Sequence, residues 1–427
     1  MIIAELYKIF QQHPSVQTDT RKLKQGDIFF ALKGPNFNGN QFAKQALEAG
    51  AAYAVVDEDV DPSDKRLIRV ADTLLALQEL AHYHRRQFTI PFIGITGSNG
   101  KTTSKELIYA VLSSHYKTYT TQGNLNNHIG VPLTLLSVQP DAEMAVIEMG
   151  ANHQKEIAGY CVYTEPTHGL ITNCGKAHLE GFGGEEGVRK GKGELYDYLS
   201  AHDGTAFVYA DYNYLQTMSR AVPHIVQYGQ TRGQVQGQVQ ANEPFLEVVI
   251  TQGFAQPCTI TTQLVGDYNL PNILCAVLTG KYFSVPEEKI VAAIEQYTPS
   301  NSRSQLVQRG SNTIVLDAYN ANPTSMKAAI ENFAKIHADH KVLMLGGMME
   351  LGEHSVAEHE GIVQLIKQHP WEQVVLVGGD FSKIGHGFTY FPNSAAAARW
   401  FAEQGFEYTH FLIKGSRSMQ MEKILQG

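Results

Sequence analysis

Apolar and polar positions along the 427-residue chain fall into short blocks whose period changes several times. Near the N-terminus, apolar runs from Asp27 to Leu32 and from Ala51 to Asp57 flank a Gly/Asn-rich loop, KGPNFNGN, between Lys33 and Asn40. Runs of this length bounded by turn residues predict the strands of a small α/β unit. Residues 71–87 switch to helical spacing, with Leu74, Leu77, Leu80, Ala81 and His84 on one face, and Pro91 marks a break before a new strand. Apolar strands then alternate with helical stretches: FIGIT (92–96), a helix from about Thr102, EMAVIEMG (143–150), HGLITN (168–173) and GTAFVYA (204–210). Such alternation predicts a mostly parallel sheet covered by helices on both faces.

Between residues 229 and 262 the chain becomes rich in Gln, Gly and Thr with alternating apolar positions, which predicts a meander or hairpin insertion. After Pro299 the alternation restarts with TIVLDAY (313–319), a helix near 325–338, KVLMLGG (341–347), a helix near 355–368, QVVLVGG (373–379) and THFLIKGS (409–416). This is the pattern of a second doubly wound unit. The expected fold is α/β in three domains: 1–88, a small N-terminal α/β unit; 89–298, a central parallel-sheet domain; and 299–427, a C-terminal Rossmann-like domain. No short-period repeat argues for a solenoid instead.

Composition changes this picture little. With 43% hydrophobic and 18% charged residues, the chain has enough apolar side chains for several cores. A formal net charge of -8, from 34 basic and 42 acidic residues, argues against a polyanion-binding surface, so nucleic acid is not an expected partner. Cys161, Cys174, Cys258 and Cys275 lack the close pairing of zinc or redox sites and read as reduced thiols. No stretch approaches the ~20 apolar residues that span a bilayer, and MIIAELYKIF lacks the basic start and apolar run of a leader. A cytoplasmic location is expected.

The sharpest local signal is TGSNGKTT, Thr96 to Thr103, between the strand FIGIT and a helix. Backbone amides of such a turn at a helix N-terminus cradle phosphate oxygens. Lys101 is placed to reach the outer phosphates and the Thr102 hydroxyl to ligate magnesium. The usual spacing of a phosphate loop puts glycine where this chain has Ile95, with Gly94 displaced by one. Glu148 ends the next apolar strand, at the sheet edge where ligands bind in such folds, and a carboxylate there suits magnesium. His178, in TNCGKAHLEGFGG, follows the next strand to the same edge. On the residues alone, a lone histidine is more often structural, and Lys192, in RKGKGELYDYL, reads as one charge on a solvated helix face.

With TGSNGKT the chain begins to resemble the Mur ligase family, which also includes folylpolyglutamate synthases, and the resemblance continues over nearly its full length. It implies ATP held by Gly97, Ser98, Asn99, Gly100, Lys101, Thr102 and Thr103, and two magnesium ions held with the help of Thr102, Glu148 and His178. The family places a carbamylated lysine three residues before an apolar residue; Lys192 so precedes Leu195, with Lys190 as the fallback. The implied catalytic set is Lys101, His178 and a carbamate on Lys192, which would also ligate a metal ion. Asn126 and Asn127, in QGNLNNHIGVPLTLL, are implied beside the phosphates and among the residues that hold the uridine-nucleotide substrate. Asn269 and Asn272, in GDYNLPNILCA, resemble the asparagines that meet the adenine ring.

The outer segments narrow the resemblance. TDTRKLKQGDIFFALKG is similar to the uridine-nucleotide-binding domain of the ligases that extend the muramoyl peptide, which implies substrate contacts from Thr20, Arg21 and Lys33. Thr20 stands where serine is frequent, and Asn38-Gly39-Asn40 where Asp-Gly-His is common; the threonine hydroxyl makes the same hydrogen bonds. VLDAYNANPTSMKAAI, LGGMMELGEHS and IKGSRSMQME resemble the branch that joins D-alanyl-D-alanine to UDP-N-acetylmuramoyl-tripeptide. Arg303 is then expected to reach phosphate across the domain gap. Asp317, Tyr319, Asn320 and Asn322 are expected to shape the nucleotide and dipeptide side of the cleft, with Asp317 and Asn320 contacting ATP. A monomer whose residues 300–427 move as a rigid body is expected. Two alternatives stay open on sequence: another amide-bond ligase of the family, adding a diamino acid or polyglutamate, and a nucleotide-binding regulatory protein that hydrolyses ATP slowly.

Overall fold

A computed structural model describes residues 3–300 and 302–426. The N-terminal unit carries a four-stranded parallel sheet in the order Val16–Gln17, Ile28–Phe30, Tyr53–Val56, Leu67–Arg69. Both predicted apolar runs are strands here, trimmed at each end. The KGPNFNGN loop forms its own short hairpin, Lys33–Gly34 against Phe37–Asn38.

The helical period of residues 71–87 is the helix Thr73–Arg85, started by Asp72, whose side chain accepts from the Leu75 amide. Its C-terminal turn clamps the N-terminal unit to the next one. His84 is buried between the Tyr7 hydroxyl (3.1 Å) and the Val138 carbonyl (2.8 Å). Arg85 donates to the carbonyls of Thr164 and Glu165 at 2.7 Å each and lies over the Phe92 ring.

The central sheet has nine strands. From one edge they run Cys258–Thr261, Leu246–Gln252, Val235–Asn242, His224–Gly229, Thr205–Tyr209, His168–Ile171, Phe92–Thr96, Met144–Glu148 and Thr118–Thr120. Pairing is parallel from Thr118–Thr120 through Val235–Asn242 and antiparallel beyond. The Gln/Gly/Thr-rich stretch is thus a meander, but it extends the central sheet rather than standing apart. Phe92–Thr96 and Met144–Glu148 are buried at every position, as strands covered on both faces must be.

The C-terminal unit has six strands in the order Gln305–Arg309, Asn312–Asp317, His410–Lys414, Lys341–Gly346, Gln373–Val377, Thr389–Phe391. Only the first pair is antiparallel. The helices predicted near 325–338 and 355–368 are Pro323–Lys335 and Ser355–Ile366. Asn322 starts the former with a reciprocal capping box to Ser325, which accounts for the earlier start. Among the described residues no helix is long and apolar enough to cross a membrane.

Candidate active site

The carboxyl ends of the central strands face the carboxyl ends of two C-terminal strands, Asn312–Asp317 and His410–Lys414. A cavity of about 740 Å³ lies between them, within the size range of small-molecule sites. Ser98 to Thr103, Glu148, Thr172, Asn173, His178, Tyr212 and Tyr214 line one wall, and Arg303, Asp317, Tyr319, Asn320, Asn322 and Lys414 the other.

The phosphate loop is shaped by two glycines. Gly97 has φ +145° and Gly100 φ +78°. A Cβ on Gly97 would fall 2.0 Å from Thr172 Oγ1, and one on Gly100 2.7 Å from Asn272 Oδ1. Ile95 is fully buried in the strand, so the loop turns at Gly97 and needs no glycine two residues earlier. The loop is braced from the neighbouring strand: the Ser98 amide donates to the Asn173 carbonyl (2.9 Å), the Asn99 amide to Asn173 Oδ1 (3.1 Å) and Thr172 Oγ1 to the Asn99 carbonyl (2.6 Å). No side chain caps the helix Lys101–Ser113, and Asn99 Nδ2 is buried without a hydrogen-bond partner in the protein. A loop with an uncapped helix start and an orphaned donor fits phosphate oxygens.

Lys101 Nζ folds back onto the carbonyls of Gly97 (2.7 Å) and Ser98 (3.2 Å). Burial pushes its ammonium below the usual lysine range, Glu148 opposes that shift and Arg303 adds to it. Glu148, 1% exposed, accepts from Thr102 Oγ1 (3.0 Å) and Asn126 Nδ2 (2.8 Å), and its own amide donates to Thr121 Oγ1. A buried carboxylate with only neutral donors on its oxygens is an incomplete charge balance that a cation fits. Among the described residues no three His, Cys, Asp or Glu side chains converge. A divalent cation here would therefore draw other ligands from phosphates and water, as magnesium does.

Lys192 lies behind this wall, 1% exposed, with Nζ 3.0 Å from the Ala151 carbonyl and 5.0 Å from the Phe182 ring centroid. Burial first, then the charge of Lys101, lowers its pKa to about 7, so much of it is neutral amine near neutrality and able to attack carbon dioxide. His178 does line the cavity, but its Nδ1 lies 2.5 Å from Glu350 Oε2 of the C-terminal unit. That contact holds the Glu350 carboxyl below its usual range.

Other expected residues sit differently. Asn272 Oδ1 accepts from Ser104 and its Nδ2 donates to Asn269 Oδ1, while Asn269 Nδ2 donates to the Val265 carbonyl. Both asparagines line the cavity, yet their amides already bind the protein and brace the helix behind the phosphate loop. Asn127 Oδ1 accepts from the amides of Ile129 and Gly130, holding the start of the helix Gly130–Leu136. Thr20, Arg21 and Lys33 lie away from the cavity lining. Arg21 turns back on Asp19 (2.8 Å) and Lys33 pairs with Asp57 and Glu58 at 2.9 Å each. Arg303 lies over the Tyr319 ring, 3.6 Å from its centroid.

Sequence reasoning passed over Lys414, whose buried ammonium pairs with Asp317 Oδ2 (2.6 Å) and donates to the Asn320 carbonyl (3.2 Å). Its place at the end of an apolar strand, in IKGS, was the available signal. It also passed over Asn173, the brace of the phosphate loop, and Glu350.

A phosphate loop and buried carboxylate facing a second doubly wound sheet define the class, a nucleotide-binding enzyme whose site spans two α/β units. Family models match three consecutive segments: "Mur ligase family, catalytic domain" at residues 14–85, "Mur ligase middle domain" at 95–280 and "Mur ligase, glutamate ligase domain" at 302–417. The chain belongs to the Mur ligase family. It is 36% identical over 424 residues to the UDP-N-acetylmuramoyl-tripeptide–D-alanyl-D-alanine ligase of Escherichia coli K12, covering 96% of this chain and 93% of that one. With the enzyme of the same name from Bacillus subtilis 168 it shares 33% identity over 424 residues, 96% and 92% of the two chains. A crystal structure of MurF from Acinetobacter baumannii superposes with a TM-score of 0.87 at 31% identity, covering 96% and 92%. MurF ligase from Thermotoga maritima, solved in complex with ADP, shares the fold with a TM-score of 0.86 at 24% identity over 96% of each chain.

Proposed function

We propose that the protein ligates D-alanyl-D-alanine to UDP-N-acetylmuramoyl-tripeptide at the expense of ATP, giving the pentapeptide, ADP and phosphate. The observation that carries this reading is a cavity lined by both the phosphate loop and the carboxyl ends of the C-terminal strands, in a chain whose full-length relatives bear that name. The tripeptide carboxylate attacks the γ-phosphorus, and Lys101 neutralises charge gathering on the transferred group. The resulting acyl phosphate is attacked by the dipeptide amine, and phosphate leaves through a tetrahedral intermediate. Arg303 and Asn99, on opposite walls, steady the phosphates, while Asp317 and Asn320 contact the nucleotide from the C-terminal side. Gly97 to Thr103 surround the phosphates and Asn269 and Asn272 border the base. Thr20, Arg21 and Lys33, with Asn126 and Asn127, serve the uridine nucleotide.

Thr102 and Glu148 are the residues that fit a magnesium ion, with His178 and a carbamate on Lys192 beside a second. When bound, the two ions supply charge neutralisation at the transferring phosphoryl group. The buried, easily deprotonated Lys192 amine supports the carbamate. Domain limits at 1–88, 89–298 and 299–427 are supported by the gaps between the matched segments, and the enzyme acts as a cytoplasmic monomer. Phosphate release from ATP tests the reading, run with UDP-N-acetylmuramoyl-tripeptide and with or without D-alanyl-D-alanine. Release that needs both, with pentapeptide formed, is expected; release indifferent to both overturns it.

A further inference from the structure

The ring of His178 is held from outside its own domain. Its Nδ1 lies 2.5 Å from Oε2 of Glu350, on the loop after the C-terminal strand Lys341–Gly346. Both residues occupy left-handed backbone, His178 at φ +53° and Glu350 at φ +61°. Neither is glycine or asparagine, the residues that adopt that region cheaply, and such strain persists only where the surroundings impose it.

The surroundings are a close backbone approach. The short helix Leu179–Phe182 meets Gly352, where an added Cβ would come 3.1 Å from Glu180 Cβ at a φ of +54°. Two residues away on the same face, Lys176 Nζ pairs with Glu358 at 2.6 Å. The Glu350 side chain is half-exposed, so the contact adds little stability. Its effect is directional.

We propose that Glu350 is a positioning residue for His178. Nδ1 is buried and makes no aligned hydrogen bond in the protein, and the Glu350 carboxylate 2.5 Å away is the acceptor that favours the proton there, which leaves Nε2 as the lone-pair nitrogen of a ring that lines the cavity. Carboxylates set histidine ligands in this way at metal sites. Here the carboxylate arrives with the C-terminal domain, so a cation site that includes His178 is complete only when the domains are docked. This rests on the reading that His178 serves a cation in the cavity.

Long-range proton–nitrogen spectra of full-length protein labelled at histidine nitrogen test it, without nucleotide or metal, at mildly alkaline pH. The His178 signal is identified by its loss in His178→Gln. The parent is expected in the Nδ1–H form, and Glu350→Ala in the Nε2–H form that free imidazole side chains favour. Glu350→Gln, whose carbonyl still accepts from Nδ1, keeps the parent form, and thermal unfolding confirms that all variants are folded. Manganese binding in the presence of ADP, followed by electron paramagnetic resonance, is expected to weaken about 10- to 100-fold in Glu350→Ala. An unchanged His178 tautomer in Glu350→Ala overturns the proposal, whatever manganese does. A changed tautomer with unchanged manganese affinity upholds Glu350 as the positioner and removes His178 from the cation site instead.

Discussion

Two lysines at the site are held out of water, and burial acts on each with a different consequence. Lys101 Nζ is folded onto loop carbonyls and must swing toward phosphate when nucleotide enters. Lys101→Ala removes stabilisation needed mainly in the transition state. Ligation should fall by several orders of magnitude with unfolding unchanged; near-normal turnover would refute its role. Lys192 tests burial directly. Its folded pKa of about 7 lies below the usual lysine value of 10.5. Below about pH 7 both folded and unfolded states hold the proton, and the buried charge weakens the fold. Between about 7 and 10.5 only the unfolded state holds it, so stability rises with pH across that window and then levels. The full rise is on the order of 5 kcal/mol. In buffer free of carbon dioxide, Lys192→Met should therefore be the more stable protein at pH 6, with its advantage vanishing by pH 10. Parallel stability curves from denaturant titrations would place the ammonium in water and remove the basis for carbamate formation.

The phosphate loop shows what a single element demands of its neighbours. Gly97→Ala puts an L side chain at φ +145° and against Thr172 Oγ1, and should cost at least about 1 kcal/mol together with most nucleotide affinity. Adding Thr172→Ala relieves the collision but not the backbone strain. Calorimetry with ADP should thus find partial recovery in the double variant; additive losses would mean the collision is not what distorts the loop. This loop, with FIGIT, VIEMG and the long C-terminal strands, was legible because runs of three or four buried apolar residues, most of them followed closely by glycine, leave few alternatives. Short edge strands such as Val16–Gln17, Leu67–Arg69 and Thr118–Thr120 bury too few side chains to leave a period. The partners were less legible than the elements. Asn173 on Asn99, Lys414 on Asp317 and Glu350 on His178 join residues 74 to 172 positions apart, and nothing in local spacing encodes such pairs. Asn272 illustrates the converse: its motif was visible, but only the fold shows both ends of its amide spent on Ser104 and Asn269.

At the scale of the whole molecule, the central and C-terminal units share a continuous apolar cluster, and polar contacts pin them beside it. Asn322 Nδ2 donates to Asn99 Oδ1 (2.7 Å), Lys176 pairs with Glu358 (2.6 Å), Lys335 with Asp267 (3.0 Å), and the Tyr268 and Ser304 hydroxyls lie 3.1 Å apart. Partly exposed ion pairs contribute about 0–1 kcal/mol each and are screened by salt. These polar contacts yield readily, and the apolar cluster beside them sets the remaining cost of opening. A ligand touching both walls of the cavity binds the docked form better and shifts the population toward it, which also excludes water from a hydrolysable acyl phosphate. Small-angle scattering should therefore report a larger radius of gyration for the free protein than with ATP analogue and both substrates, and the gap should widen with salt. Lys176→Glu sets two carboxylates against each other at the interface. It should expand the free protein further, while saturating ligands return the variant to the compact parent profile. Indistinguishable scattering with and without ligands in both proteins would mean residues 300–427 do not move, and the cavity would then have to fill and empty through a fixed mouth.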